Sequence, residues 1–158
     1  VIGTVGSDDK FNLAKKNGCD EVINYSKEDF AKKVMELTDG KGLSVVYDGV
    51  GKSTFEKSLQ CLKTRGMMVS FGNASGTLSP IDVSKTLQPK GLFFVRPSMG
   101  QYLSTREELN EASKILFEKI SSGKVKVEIF KKYKLEDIKK AHIDLESRKI
   151  VGPAVIIP

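Results

Sequence analysis

The chain has 158 residues, 39% of them hydrophobic and 29% charged, the balance of a globular protein of about one domain rather than of a disordered or fibrous chain. No apolar stretch approaches the roughly 20 residues that cross a bilayer, and no charged-then-apolar leader opens the sequence, so no membrane partner is expected and the expected location is cytoplasmic. The net charge is +6, but the Lys-Lys pairs at 15–16, 32–33, 131–132 and 139–140 sit among acidic residues in helix-like stretches, which argues against nucleic acid as a partner.

Val1-Ile2-Gly3-Thr4-Val5 is a short β-branched strand that begins with the first residue, as in a fragment whose upstream portion is missing. Asp8 or Asp9 caps a helix through Lys16 that stops at Asn17-Gly18. Glu21–Tyr25 reads as a second strand, and a helix from about Glu28 to Leu37 carries Phe30, Val34 and Leu37 at three-to-four spacing. Leu43–Asp48 is nearly all apolar, the pattern of a parallel strand covered on both faces. Helix 53–62, a turn at Arg65-Gly66, strand 67–72 and strand 91–96 follow. Strand, helix, strand in this rhythm makes right-handed βαβ crossovers and an α/β, doubly wound sheet. Thr105 and Glu108 form a capping box for a helix over 105–121. Beyond Gly123 the alternation in Val125–Phe130 predicts a half-buried antiparallel strand, then come helix 135–147 and strand 154–157. The domains expected are therefore 1–123 and 124–158.

Gly51-Lys52-Ser53 behind an apolar run imitates the end of a triphosphate-binding loop. That loop needs a glycine five positions before Gly51. The residue there is Val46, in mid-strand, so the triphosphate reading is rejected. Cys19 and Cys61 lie far apart without a Cys/His cluster, so no metal site and no disulfide is expected. His142 has no carboxylate partner in sequence and is read as structural or superficial.

In a doubly wound sheet ligands lie beyond the carboxyl ends of the strands. Here those ends carry Val5-Gly6-Ser7, Asn24-Tyr25, Asp48-Gly49-Val50-Gly51, Phe71-Gly72-Asn73 and Val95-Arg96. A carboxylate at the end of the strand that meets the adenosine ribose would favour NAD. Val5 stands there instead, so a 2′-phosphate is not repelled, and Ser7 with Lys10 could receive it. The same valine speaks against a methyltransferase, which would want a carboxylate for the ribose.

Five segments, Ile2–Ser7, Asn17–Tyr25, Val46–Gly51, Arg65–Asn73 and Arg96-Pro97-Ser98, together resemble the NADPH-dependent quinone oxidoreductases. These form the zinc-free, ζ-crystallin-like branch of the medium-chain dehydrogenase/reductase superfamily. The resemblance covers essentially the whole chain. It implies an incomplete Rossmann sheet lacking its first strand, followed by a segment returning to a GroES-like catalytic domain. It implies NADPH as cofactor and hydride transfer to a quinone or conjugated carbonyl. Gly6, Ser7 and Lys10 would border the adenosine 2′-phosphate, Tyr25 would lie against the adenosine, and Arg148 would reach the same phosphate. Val50 and Gly51 would flank the ribose; Phe71, Gly72, Asn73, Phe94, Val95 and Arg96 would flank the nicotinamide half. No general acid or base is named. A homodimer through Gly91–Val95 is implied for the parent. Without a glycine-rich pyrophosphate turn and a substrate domain, the chain alone is expected to bind NADPH poorly and to be inactive. A structural or RNA-binding protein of the same fold is the alternative.

Overall fold

Each strand-like run in the first hundred residues becomes a parallel strand, and a helix follows each. A computed structural model of the chain describes residues 1–147 and 150–158. It opens with β1 (Ile2–Val5), a 3-10 turn at Asp8–Lys10, α1 (Phe11–Lys16), β2 (Glu21–Asn24) and α2 (Phe30–Leu37). Next come β3 (Leu43–Asp48), α3 (Phe55–Gln60), β4 (Leu62–Ser70), α4 (Val83–Thr86), β5 (Phe93–Val95) and α5 (Met99–Tyr102). These elements form one compact unit, Val1–Tyr102; a second runs from Leu103 to Pro158.

In the first unit β1 pairs with β2 in parallel, from Ile2 opposite Glu21 to Val5 opposite Asn24. β4 lies between β3 and β5, again all parallel. No ladder joins β1 to β3. A cleft of about 540 Å³ opens there instead, lined by Ile2 and Thr4 of β1, Val45 and Tyr47 of β3, and Phe30 and Val34 of α2. An α/β unit with a strand's width missing from its parallel sheet is the incomplete doubly wound arrangement that the sequence suggests.

The core lies on the side of α2 and α3. Ile23, Phe30, Ala31, Val34 and Cys61 form one buried cluster, and Phe55, Leu59, Leu62 and Met68 another. Val46 packs against both. Burying a side chain the size of Met68, which is 0% exposed, stabilises by about 2 kcal/mol. The Cys61 thiol is pushed up to about 11 by burial; Cys19 and Cys61 are both free thiols.

Four expectations need correction. Asp8 and Asp9 do not cap the first helix, because Asp8 is drawn to β2 by Asn24 and Lys27. β3 is not covered on both faces, since Val45 and Tyr47 face outward and are exposed. The Arg65-Gly66 turn is a bulge within β4: Leu43 pairs with Leu62 but Val45 with Met67, and Arg65 takes φ 59°. Finally, Val125–Phe130 forms no strand and is exposed throughout. An alternating pattern specifies a strand only where one face has something to cover it.

The second unit contains α6 (Arg106–Ser121), β6 (Lys131–Lys134), α7 (Ile138–Glu146) and β7 (Ala154–Ile157). The capping box forms as expected: Thr105 Oγ1 accepts from Glu108 N at 3.2 Å, and Glu108 Oε2 accepts from Thr105 N at 2.9 Å. β6 pairs with β7 in parallel, not antiparallel. The pairing shifted one element downstream because Tyr133 has a buried partner: its hydroxyl donates to Asp144 at 2.8 Å. Lys131 and Lys140 also donate to that carboxylate, at 2.9 and 3.1 Å. These three donors hold the Asp144 carboxyl well below the usual carboxylate range. No helix among the described residues is long and apolar enough to cross a membrane.

Candidate functional site

Parallel strands carry their following turns at one end, so five strands place five turns along one rim. The rim of the first unit holds the predicted site residues except Arg148 and Phe94, whose ring packs edge-on against Phe55 in the core, centroids 5.9 Å apart. Gly6 and Ser7 follow β1, and Lys10 closes the 3-10 turn behind them. Tyr25 follows β2 and packs beside Gly6: a Cβ added to Gly6 would lie 2.8 Å from the Tyr25 hydroxyl. Ser26 Oγ donates to the Gly6 carbonyl at 2.8 Å, tying the two turns together. Val50 and Gly51 follow β3, Phe71, Gly72 and Asn73 follow β4, and Phe94, Val95 and Arg96 lie in or just after β5. Arg148 lies outside the described residues.

The charges at the β1 end are sorted. Val5, the last residue of β1, offers no carboxylate. Asp8 is engaged by the Lys27 ammonium and by Asn24 Nδ2 at 2.6 Å. Those two donors, Lys27 foremost, hold the Asp8 carboxyl below its ordinary value. Lys10 makes no ion pair among the described residues, which leaves its ammonium available for an anion.

The β3 and β4 turns interlock through their backbones. Phe71 N donates to Asp48 O at 3.0 Å, Ala74 N to Gly49 O at 3.3 Å, and Ser75 N to Val50 O at 2.7 Å. Lys52 N donates back to Gly76 O at 3.2 Å. Gly51 adopts φ 87°, and an added Cβ would meet Gly76 O at 2.8 Å. Gly72 is closer still to its neighbour: its added Cβ would collide with the Gly49 carbonyl oxygen and lie 2.8 Å from Gly49 Cα. Only glycine permits backbones to approach in this way.

Arg96 reaches from the end of β5 across to the β4 turn, donating to the carbonyl of Ser70 at 2.8 Å and of Gly72 at 3.4 Å. It therefore braces that turn while lining a pocket of about 530 Å³ with Phe71, Ser98 and Tyr102. The sequence reading missed two members of this site. Asp48, buried at the end of β3, escaped because a carboxylate before Gly-Val-Gly reads as an ordinary turn residue; its signal was Thr54 and Ser58, four apart on one helical face. Ser75, whose hydroxyl accepts from Ser53 N at 3.0 Å and donates to Val50 O at 2.7 Å, had no signal at all. His142 is exposed in the second unit. Among the described residues no three His, Cys, Asp or Glu side chains gather as a metal-ligand set.

Comparison with known proteins gives this geometry a family. The family model described as zinc-binding dehydrogenase matches residues 1–118. Quinone oxidoreductase 1 of Escherichia coli is 47% identical over 160 residues, covering 100% of this chain and 49% of that protein. A 2-haloacrylate reductase of Burkholderia is 43% identical, covering 100% of this chain and 48% of that protein. The crystal structure of Escherichia coli quinone oxidoreductase complexed with NADPH superposes with TM-score 0.94 over 99% of this chain and 49% of its own. The chain spans about half the length of the curated relatives that it matches. By these matches, the chain belongs to the zinc-binding dehydrogenase family.

Proposed function

We propose that the protein containing this chain is an NADPH-dependent oxidoreductase that reduces quinones or conjugated carbonyls, and that residues 1–123 are the cofactor-binding part of it. The observation that carries this reading is the rim: Val5 without a carboxylate, Lys10 without an ion pair among the described residues and Asp8 neutralised by Lys27 together suit an extra phosphate at one end. The E. coli relative is a quinone oxidoreductase whose structure is complexed with NADPH.

NADPH, when bound, supplies the hydride. The chain's own residues bind and orient. Ser7 and Lys10 hold the 2′-phosphate; Gly6 keeps the backbone close, and Tyr25 packs along the adenosine. Val50 and Gly51 flank the ribose. Phe71, Gly72, Asn73, Val95 and Arg96 border the nicotinamide half, where the interlocked turns cost no rearrangement on binding. Residues 124–158 belong with a GroES-like substrate domain. The protein is cytoplasmic.

Mixing the full-length protein with NADPH and a simple quinone should consume NADPH in proportion to enzyme. No consumption, combined with salt-sensitive retention of RNA, would replace this reading with the nucleic-acid alternative. The protein pairs with a second copy through β5, which is a sheet edge and exposes 58% of Phe93. Unpaired apolar edges invite such pairing. Light scattering should give a dimer, and Phe93→Lys should shift it toward monomer; a monomeric unaltered protein would refute the pairing.

A further inference from the structure

Among the five strands of the first unit, β3 alone ends in a carboxylate, Asp48. It is 4% exposed and faces four neutral donors. Its Oδ1 accepts from Val50 N at 2.8 Å and Gly51 N at 2.9 Å. Thr54 Oγ1 donates to it at 2.8 Å and Ser58 Oγ at 2.8 Å, both to Oδ2. No cation pairs with it among the described residues. A buried charge carries a desolvation cost that offsets much of what its hydrogen bonds contribute to stability. What a fully satisfied buried network contributes instead is a single geometry.

That geometry is the shape of Gly49–Gly51. The same three residues present the carbonyls of Gly49 and Val50 to Ala74 and Ser75, so the turn after β4 is fixed through the turn after β3. One carboxylate therefore sets two of the turns that carry proposed cofactor residues. We propose that Asp48 is a positioning residue for the cofactor: held by Thr54 and Ser58, it shapes the β3 and β4 turns against which the nicotinamide-side half of NADPH binds. The inference rests on the cofactor reading given above.

The test compares two ligands in the full-length protein. NADPH spans the whole rim, whereas 2′-AMP occupies only the adenosine end near Ser7 and Lys10. Asp48→Ala strands two buried amides and should raise the KM for NADPH about tenfold while leaving 2′-AMP inhibition within about twofold. Asp48→Asn keeps a carbonyl for both amides and should return the KM to within about threefold of the unaltered value. Should Asp48→Ala fail to fold, Thr54→Val keeps the side-chain volume, removes one donor and should show the same one-sided loss at about threefold. Unchanged KM in every folded variant would overturn the inference. So would a parallel loss of 2′-AMP and NADPH, which marks general damage, or an Asn variant no better than Ala. If the unaltered protein bound no NADPH, the cofactor reading itself would fall, and the inference with it.

Discussion

Two stretches of one rim are built by different means. The turns after β1 and β2 are joined by side chains: Tyr25 against Gly6, Ser26 Oγ on the Gly6 carbonyl, and the exposed Asp8 held by Lys27 and Asn24. The turns after β3 and β4 are joined backbone to backbone and anchored beneath by a buried carboxylate. Side chains rotate and yield, whereas backbone in contact with backbone does not. The first stretch suits selection among ligands by a few exchangeable charges. The second suits a fixed seat.

The same substitution at two glycines separates the stretches most sharply. Gly72→Ala forces a Cβ to within 2.8 Å of Gly49 Cα and should destabilise by roughly 3 kcal/mol in chemical denaturation. Gly6→Ala meets only the end of the Tyr25 side chain, at 2.8 Å. That hydroxyl can move, and the stability change should stay within about 1 kcal/mol either way. Equal losses at both positions would show that the two stretches are equally rigid.

The smallest expected effect concerns pH. Lys27 and Asn24 lower the Asp8 carboxyl below its ordinary value near 3.8. A carboxyl lowered in the folded state contributes stability above its unfolded value, and this is lost as pH falls through the lowered one. Because Asp8 is exposed, salt should screen much of the contribution. An NMR titration should place its midpoint below that of an unpaired aspartate, and Lys27→Ala should return it toward the ordinary range. A midpoint insensitive to Lys27 would remove the pairing from the account.

How much of this was legible beforehand follows the range of the interactions. The α6 capping box was readable because Thr105 and Glu108 are three residues apart and satisfy each other locally. The strand-end turns were readable because parallel strands put their glycines on one side. Val125–Phe130 misled because its alternation describes only the chain, while a strand also needs a surface to cover one face. β6 formed instead where Tyr133 finds Asp144, a contact across eleven residues. The approach of Gly49 to Gly72 spans 23 positions and left no trace in either local sequence. Asp48 lies between these cases: all four donors sit within ten residues, but the reason for a buried charge appears only when the turn it shapes is seen holding a second one.

The central claim is that the β1 end selects the phosphorylated dinucleotide through Lys10. Dissociation constants for NADPH and NADH on the full-length protein, before and after Lys10→Ala, test it directly. The account predicts tighter NADPH binding at first and a preference reduced about tenfold by the substitution, the worth of one charge-assisted contact, with NADH affinity unchanged. Equal affinity for the two dinucleotides in both proteins would contradict it.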